Sequence, residues 1–296
     1  MPLITFQKNL ENYYLHLIKK MKLTLGFSPC PNDTFIFDAI VNGRIDTEGL
    51  EFDYFLADVE ELNKKAFASE VDITKISCHA YAYAASDYLI LDSGSALGYG
   101  NGPLLICKNS VEPEKLKDVR IAIPGRYTTA NLLFSIAWPE ALNKREYLFS
   151  DIEEALLREE ADAGLIIHET RFTYQRKGLH KIADMGEFWE RLTGLPIPLG
   201  SIVIHRRIPE DIALKFNRIL RRSIEYAGEN AQASYDFVAS HAKEMESTVI
   251  NSHIELYVND FSLTLGQEGK RALTELFRIS CEKGITPALP DRIFLT

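Results

Sequence analysis

Seven histidines could exchange a proton near neutral pH in this 296-residue sequence: His16, His79, His168, His180, His205, His241 and His253. His168 has the most informative position, since it ends the apolar run AGLII and begins the polar run HETRFTY. This change predicts that His168 lies at the carboxyl end of a buried strand, where it could act as a general base. His205, at the end of the apolar run SIVIH, is a weaker candidate, and a purely structural histidine is the alternative in both cases.

The cysteines do not predict a metal site or a disulfide framework. Cys30, Cys78, Cys107 and Cys281 show no C-x-x-C spacing, and the histidines show no H-E-x-x-H spacing. Cys30 could be a nucleophile, but no base is adjacent in the sequence, so we interpret it as a small packing residue. The G-x-S-x-G and P-loop signatures are also absent, which disfavours acyl hydrolysis and nucleotide phosphate chemistry.

Two polar turns, SPCPND at 28–33 and PGRYTTAN at 124–131, could bind a ligand. Each turn follows an apolar strand-like run and precedes an apolar helix-like run, so the first helical N–H groups could face an anion. Asn32 or Asp33 is expected to cap the first helix. In the second turn, Gly125 permits a close backbone approach, and Thr128 and Thr129 add hydroxyl groups that suit a carboxylate. Simple helix capping is the alternative.

The elements that would position these residues form an internal repeat. YFLADVEEL at 54–62 and YLFSDIEEAL at 147–156 both predict a strand followed by a helix, with Asp58 and Asp151 as N-caps and Glu61 and Glu154 at N3. Each helix leads into another apolar strand. We therefore expect two lobes with one βαβαβ plan, and a chance likeness of two α/β segments is the alternative.

This alternation predicts an α/β fold with parallel sheets and a ligand site outside the carboxyl ends of the strands. Lys75 and Ser77, at such an end, are expected ligand contacts, with packing roles as the alternative. The segments SGSALGYGNGPLLICK and LPIPLGSIVIH read as two crossings between the lobes. We predict lobe one at 21–107 and 200–296, lobe two at 108–199, and an extension at 1–20. Two crossings make a hinge that can close on a ligand.

Composition narrows the class of protein. The chain is 46% hydrophobic and 25% charged, as in ordinary globular proteins. A formal net charge of −9 argues against a nucleic-acid partner. No apolar stretch approaches the ~20 residues of a membrane span, and residues 1–20 contain no signal-peptide core, so a cytoplasmic location without a membrane partner is expected. The oligomeric state stays open.

Five motifs carry a family resemblance: GFSPCPNDTFIF, DITKIS, SGSALGYGNGPLL, PGRYTTA and AGLIIHETRFTY. Together they resemble the 1,4-dihydroxy-6-naphthoate synthase family of the futalosine route to menaquinone, over about residues 21 to 290. The resemblance implies a two-lobed periplasmic-binding-protein-like fold of class two, with the ligand cleft between the lobes. It also implies a cofactor-free lyase whose small-molecule substrate is cyclic dehypoxanthine futalosine.

The resemblance further implies individual roles. His168 would be the proton acceptor, and the substrate contacts would be Lys75, Ile76, Ser77, Thr129 and Ala130. The aromatic ring system of the substrate needs apolar walls, for which we consider Phe27, Phe35 and Tyr174. Two alternatives remain: a solute-binding protein that holds a small carboxylate without catalysis, and a chorismate dehydratase of the same pathway.

Overall fold

A computed structural model describes residues 21–242 and 246–296. The extension predicted at 1–20 lies outside the described residues. The strands are β1 Met21–Phe27, β2 Leu50–Leu56, β3 Ile73–Ser77, β4 Tyr88–Ile90, β5 Ala96–Gly98, β6 Leu104–Cys107, β7 Ile121–Ile123, β8 Lys144–Glu146, β9 Ala163–Ile166, β10 His180–Asp184 and β11 Ile197–His205.

The α-helices are α1 Pro31–Val41, α2 Val59–Phe67, α3 Cys78–Ala84, α4 Thr129–Ala137, α5 Ile152–Leu157, α6 Met185–Thr193, α7 Glu210–Glu229, α8 Ala231–His241, α9 Ser247–Tyr257, α10 Asp260–Leu263 and α11 Gly266–Glu282. Short 3₁₀ helices span Pro113–Asp118, Phe149–Asp151, His168–Phe172 and Tyr174–Lys177. Among the described residues, no helix is long and apolar enough to cross a membrane.

The strands form two sheets with matching order. The first sheet runs β2-β1-β3-β11-β4, with β5 also paired to β11, and the second runs β8-β7-β9-β6-β10. In each sheet the first βαβαβ unit is parallel, with its first strand in the middle. The repeated βαβαβ plan predicted from the sequence is therefore confirmed.

The sheets are mixed rather than purely parallel, contrary to the prediction. β11 is antiparallel to β3, and β6 is antiparallel to β9. Each of these two strands enters its sheet from the other lobe. A βαβ connection makes consecutive strands parallel, but a strand that arrives by a crossing has no such connection, so the crossing sets its direction.

The crossings lie close to their predicted positions. The chain changes sheet between β5 and β6, and again between β10 and β11. These changes fall a few residues before the boundaries predicted after residues 107 and 199, because β6 pairs within the second sheet and β11 begins at Ile197. The two crossing segments touch where a Cβ on Gly102 would lie 2.1 Å from the backbone nitrogen of Gly186, so a side chain at Gly102 would force the segments apart.

The two copies of the repeated motif cap their helices differently. Asp58 accepts hydrogen bonds from the backbone N–H groups of Glu60 and Glu61, at 2.9 and 3.2 Å, as predicted. The prediction for Asp151 is wrong: its side chain makes no capping bond. The chain already turns at Phe149–Asp151, so the backbone of Asp151 is helical rather than extended and its carboxylate cannot reach back to N2 or N3.

Candidate active site

A cleft between the carboxyl ends of the two parallel units encloses about 660 Å³ of empty space, including its mouth. The structure brings together the proton acceptor and the five substrate contacts that the family resemblance implies. They line this one cleft: Lys75, Ile76, Ser77, Thr129, Ala130 and His168.

His168 follows β9 with one intervening residue, at the carboxyl end of that strand. Its φ of 62° lies in the left-handed region, which is uncommon for a residue with a Cβ. Its ring packs edge-on against Phe149, with centroids 4.7 Å apart, and stacks toward His253 at a centroid distance of 6.3 Å. Backbone strain of this kind persists where the surroundings fix it and concentrates at functional sites.

Cys30 is a contact of His168 that the sequence did not show. The sulfur of Cys30 lies 3.1 Å from Nδ1 of His168, although 138 residues separate them in the chain. The thiol is buried, and this burial, more than the nearby Glu169 carboxylate, raises the pKa of Cys30 well above its usual range. A neutral thiol is a weak nucleophile, so the packing interpretation holds in part, but Cys30 packs directly on the candidate base.

Backbone amides of the first turn donate hydrogen bonds to other groups of the same turn. The prediction that they face a ligand is therefore wrong. The backbone N–H groups of Asp33 and Thr34 both donate to the carbonyl of Cys30, at 3.1 and 3.0 Å. The N–H and hydroxyl of Ser28 donate to Asp33 Oδ2. Asn32 and Asp33 do not cap the helix, because Cys30 is the N-cap residue and Pro31 already occupies the first turn.

The second turn also hydrogen-bonds most of its amides within the protein. The N–H groups of Arg126 and Tyr127 donate to Glu146 and Glu60, both at 3.2 Å. Thr128 is the N-cap of α4 and accepts from the N–H of Asn131 at 3.3 Å. The Thr129 hydroxyl donates to the carbonyl of Leu199 at 2.5 Å and thereby ties the helix start to the return strand. Gly125 has a φ of 144°, and a Cβ there would lie 2.7 Å from Cδ of Glu60, so the predicted close approach at Gly125 is confirmed.

A buried ion pair lies on the first-lobe side of the cleft. Nζ of Lys75 lies 3.2 Å from Oδ1 of Asp33, and both side chains are almost fully buried. The amide of Asn32 donates to the same Oδ1 at 2.8 Å. The backbone N–H of Ser77 donates to Oδ1 of Asn63 at 3.0 Å, and this hydrogen bond fixes the position of Ser77. Lys75 and Ser77 are thus fixed before any ligand arrives.

Sequence reasoning missed three cleft residues with polar side chains: Asn101, His253 and Tyr257. His253 and Tyr257 are four residues apart on α9, so they share one helix face, and this spacing could have indicated them. Nε2 of His253 lies 2.9 Å from Oδ1 of Asn32, and burial lowers the pKa of His253 well below its usual value. Neither the two amide atoms of Asn101 nor Nδ1 of His253 find a hydrogen-bond partner within the described part of the chain.

The other aromatic and histidine candidates lie elsewhere. Phe27, Phe35 and Tyr174 are buried in the lobe cores and are not among the described residues that line the cleft. Phe27, for example, stacks on Phe37 at 4.6 Å. His205 packs edge-on against Tyr88 at the far end of β11, and its Nδ1 accepts from the N–H of Arg207 at 3.0 Å. The weaker histidine candidate is therefore a structural residue.

Comparison with known proteins adds a family and a fold. A family model described as menaquinone biosynthesis matches residues 23–282. A protein of Thermus thermophilus named 1,4-dihydroxy-6-naphthoate synthase is 41% identical over 273 residues, which cover 92% of this chain and 99% of the relative. A protein of the same name from Streptomyces coelicolor is 39% identical over 278 residues, covering 92% of this chain and 97% of that relative.

Solved structures confirm the predicted periplasmic-binding-protein-like fold. The crystal structure of a protein from Archaeoglobus fulgidus has a TM-score of 0.85 and 36% identity, covering 89% of this chain and 98% of that chain. The alkanesulfonate-binding protein SsuA of Xanthomonas axonopodis has a TM-score of 0.67 at 14% identity, covering 93% of this chain and 96% of that chain. At that identity the likeness shows the fold alone.

Proposed function

The chain belongs to the menaquinone-biosynthesis family, and from that premise we propose that it is a 1,4-dihydroxy-6-naphthoate synthase, a carbon–carbon lyase that acts on cyclic dehypoxanthine futalosine. The observation that carries this proposal is the position of His168, on a strained backbone, in the same cleft as the other five proposed contacts. The names of the relatives support the product. A cytoplasmic location and activity without a cofactor belong to the same proposal.

In the proposed reaction, closure of the lobes excludes water and His168 removes a proton from the substrate. Nε2 takes the proton while Nδ1 keeps its hydrogen toward the sulfur of Cys30, 3.1 Å away. The electron pair released then breaks the bond between the ring system and the sugar part, and formation of the aromatic naphthoate supplies driving force. General base catalysis typically contributes about 10²–10⁴-fold to such a step.

The rest of the cleft offers the substrate both polar and apolar contacts. The amides at the start of α4 and the buried cation of Lys75 suit its carboxylate. Asn101 and His253 present buried polar atoms for which the described residues offer no partner, and a ligand with hydroxyl groups would satisfy them. The ring system of the substrate requires apolar contacts. Five aliphatic residues that line the cleft can supply them: Val59, Ile76, Ala130, Ile167 and Leu199.

Product formation tests the proposal directly. The purified full chain is incubated with cyclic dehypoxanthine futalosine, with no cofactor or metal added, and dihydroxynaphthoate is measured by mass spectrometry. We expect product at substoichiometric enzyme. If the folded protein binds the compound and releases no product, the solute-binding alternative is favoured, and product from chorismate instead would favour the dehydratase.

His168→Ala should lower kcat by at least about 10²-fold, because it removes the proton acceptor. The matched control is His180→Ala, which removes an exposed histidine from strand β10 of the same lobe. Circular dichroism checks that both variants fold. Turnover in His168→Ala equal to that of the control would refute the assignment.

Thr129→Val should weaken substrate binding, since valine keeps the shape but cannot donate to the carbonyl of Leu199. That hydrogen bond is worth about 1 kcal/mol and holds the start of α4 against the return strand, so its loss should raise Kd or KM by up to roughly fivefold through displacement of the helix start, with kcat little changed. Thr129→Ser keeps the hydroxyl and serves as the control. An unchanged KM in the valine variant would remove Thr129 from the binding site.

A further inference from the structure

Folding gathers three side chains of metal-binding type at one side of the cleft. Cys30 comes from the first lobe, and His168 and Glu169 come from the second. The sulfur, a ring nitrogen and a carboxylate oxygen of these residues all lie within 4.8 Å of one another. No spacing in the sequence predicts this cluster, because the cysteine is far from the other two residues along the chain.

The donor set fits a divalent cation with affinity for sulfur. Zinc binds thiolate sulfur at about 2.3 Å and imidazole nitrogen or carboxylate oxygen at about 2.0–2.2 Å, in a tetrahedral arrangement. Those lengths place neighbouring ligand atoms about 3.3 to 3.7 Å apart. The present separation of 3.1 Å between the sulfur and Nδ1 would need to widen by only a few tenths of an ångström.

We propose that Cys30, His168 and Glu169 bind a thiophilic divalent cation such as Zn²⁺, and that this cation inhibits the enzyme by occupying the proton acceptor. Three protein ligands leave a fourth position for water or a substrate oxygen, as in open zinc sites. A cation on Nδ1 leaves the hydrogen of the neutral imidazole on Nε2, so the nitrogen that would accept the substrate proton no longer has a free lone pair. It would thus act as an inhibitor of the proposed reaction and not as its cofactor.

The binding step balances without any redox partner. The S–H bond of Cys30 breaks, its proton leaves to solvent, and a metal–sulfur bond forms. The hydrogen of His168 moves from Nδ1 to Nε2 by exchange with solvent, and a metal–nitrogen bond forms at Nδ1. Cys30 and Glu169 are each only 3% exposed, so few water molecules compete for the cation once it has entered. The cation would also join the two lobes, since its ligands come from both.

Cobalt is a spectroscopic probe for this site that does not depend on activity. The full chain is titrated with Co²⁺, and a thiolate ligand produces an intense near-ultraviolet charge-transfer band. We expect this band to saturate at one Co²⁺ per chain and to disappear when Zn²⁺ displaces the cobalt. No charge-transfer band in the folded protein would overturn the proposal.

Three variants locate the site. Cys30→Ser should abolish the band, while Cys281→Ser, which removes the partly exposed cysteine at the end of α11, should retain it. Glu169→Gln keeps the thiolate, so the band should persist with an affinity lowered by at least about tenfold. Persistence of the band in Cys30→Ser, or an unchanged affinity in Glu169→Gln, would overturn the proposal. Thermal unfolding confirms that each variant is folded.

An activity measurement tests the inhibitory part, which rests on the proposed function. Micromolar Zn²⁺ should suppress product formation in the parent and in Cys281→Ser, and a chelator should restore it. Full activity at a Zn²⁺ concentration that displaces Co²⁺ would refute inhibition while leaving the metal site established. A chain that binds Co²⁺ but makes no product even with a chelator would instead refute the proposed function.

Discussion

The two turns at the cleft occupy equivalent places in the repeat but present different chemistry. Cys30, Pro31, Asn32 and Asp33 take the N-cap, N1, N2 and N3 positions of α1, and residues 128–131 take those positions in α4. The first turn is closed by its own side chains, and Asp33 pairs with the buried Lys75. The second turn is closed by a threonine cap and by the carboxylates of Glu60 and Glu146, which accept from its backbone N–H groups.

The two copies of the repeat therefore contribute different chemical groups to one site. The first lobe contributes the buried ion pair of Lys75 and Asp33. The second lobe contributes the start of α4 and His168 with its strained backbone. A matched pair of helix starts therefore does not imply a matched pair of anion sites. The occupant of N1 contributes to the difference, because Pro31 has no N–H to offer an anion whereas Thr129 has one. Asp33 at N3 accepts from Ser28 and pairs with Lys75 instead of binding the helix amides.

The largest effect should come from Asp33→Asn, which leaves the buried Lys75 without its counter-charge. Removal of one partner of a buried pair costs about 3–5 kcal/mol, to be measured as the free energy of unfolding in urea. The control is Asn131→Ala at the equivalent N3 position, which removes hydrogen bonds with the Arg126 carbonyl and the Lys144 ammonium and should cost only about 1–3 kcal/mol. Equal losses of unfolding free energy in the two variants would mean that the two turns contribute equally to stability, contrary to the difference proposed between them.

An intermediate effect is expected at His79, where the first lobe touches the second turn. Nδ1 of His79 lies 3.2 Å from the carbonyl of Thr128, and burial lowers the pKa of His79 from 6.5 to about 4. The unfolded chain therefore binds a proton at higher pH than the folded chain. Stability should fall as the pH drops from 6.5 to 4, by about 3 kcal/mol for this group.

Urea unfolding of His79→Gln checks this pH dependence. The variant should lose stability less steeply than the parent between pH 6.5 and 4, with pH 8 as the reference where the imidazole is neutral in both states. His253, whose pKa burial also lowers, should leave a residual slope. Parallel curves for parent and variant would show that His79 does not report on contact between the lobes.

The smallest effect separates the two copies of the capping motif. Asp58→Ala should cost about 1 kcal/mol of unfolding free energy, because it removes a real N-cap. Asp151→Ala should change stability by no more than about 0.5 kcal/mol, since no capping bond exists there. Thermal melts of the two variants side by side test this, and equal shifts would contradict the asymmetry.

The sequence alone determined the elements, the repeat and most of the residues proposed for the cleft. Helix and strand periods, caps and turn residues act over a few positions, so a local pattern is enough to place a βαβαβ unit. The carboxyl ends of parallel strands meet at one edge of a sheet, and this rule assigns Lys75 and Ser77 to the ligand-binding edge of the first sheet and His168 to that of the second.

Tertiary structure alone decided which groups contact each other across the lobes. The approach of Cys30 to His168, the burial of His253 against Asn32 and the antiparallel entry of β11 all join residues that are far apart in the chain. Such pairs depend on how two lobes dock and on which polar groups burial forces to find partners. A local pattern carries neither the docking geometry nor the desolvation that makes those partners necessary.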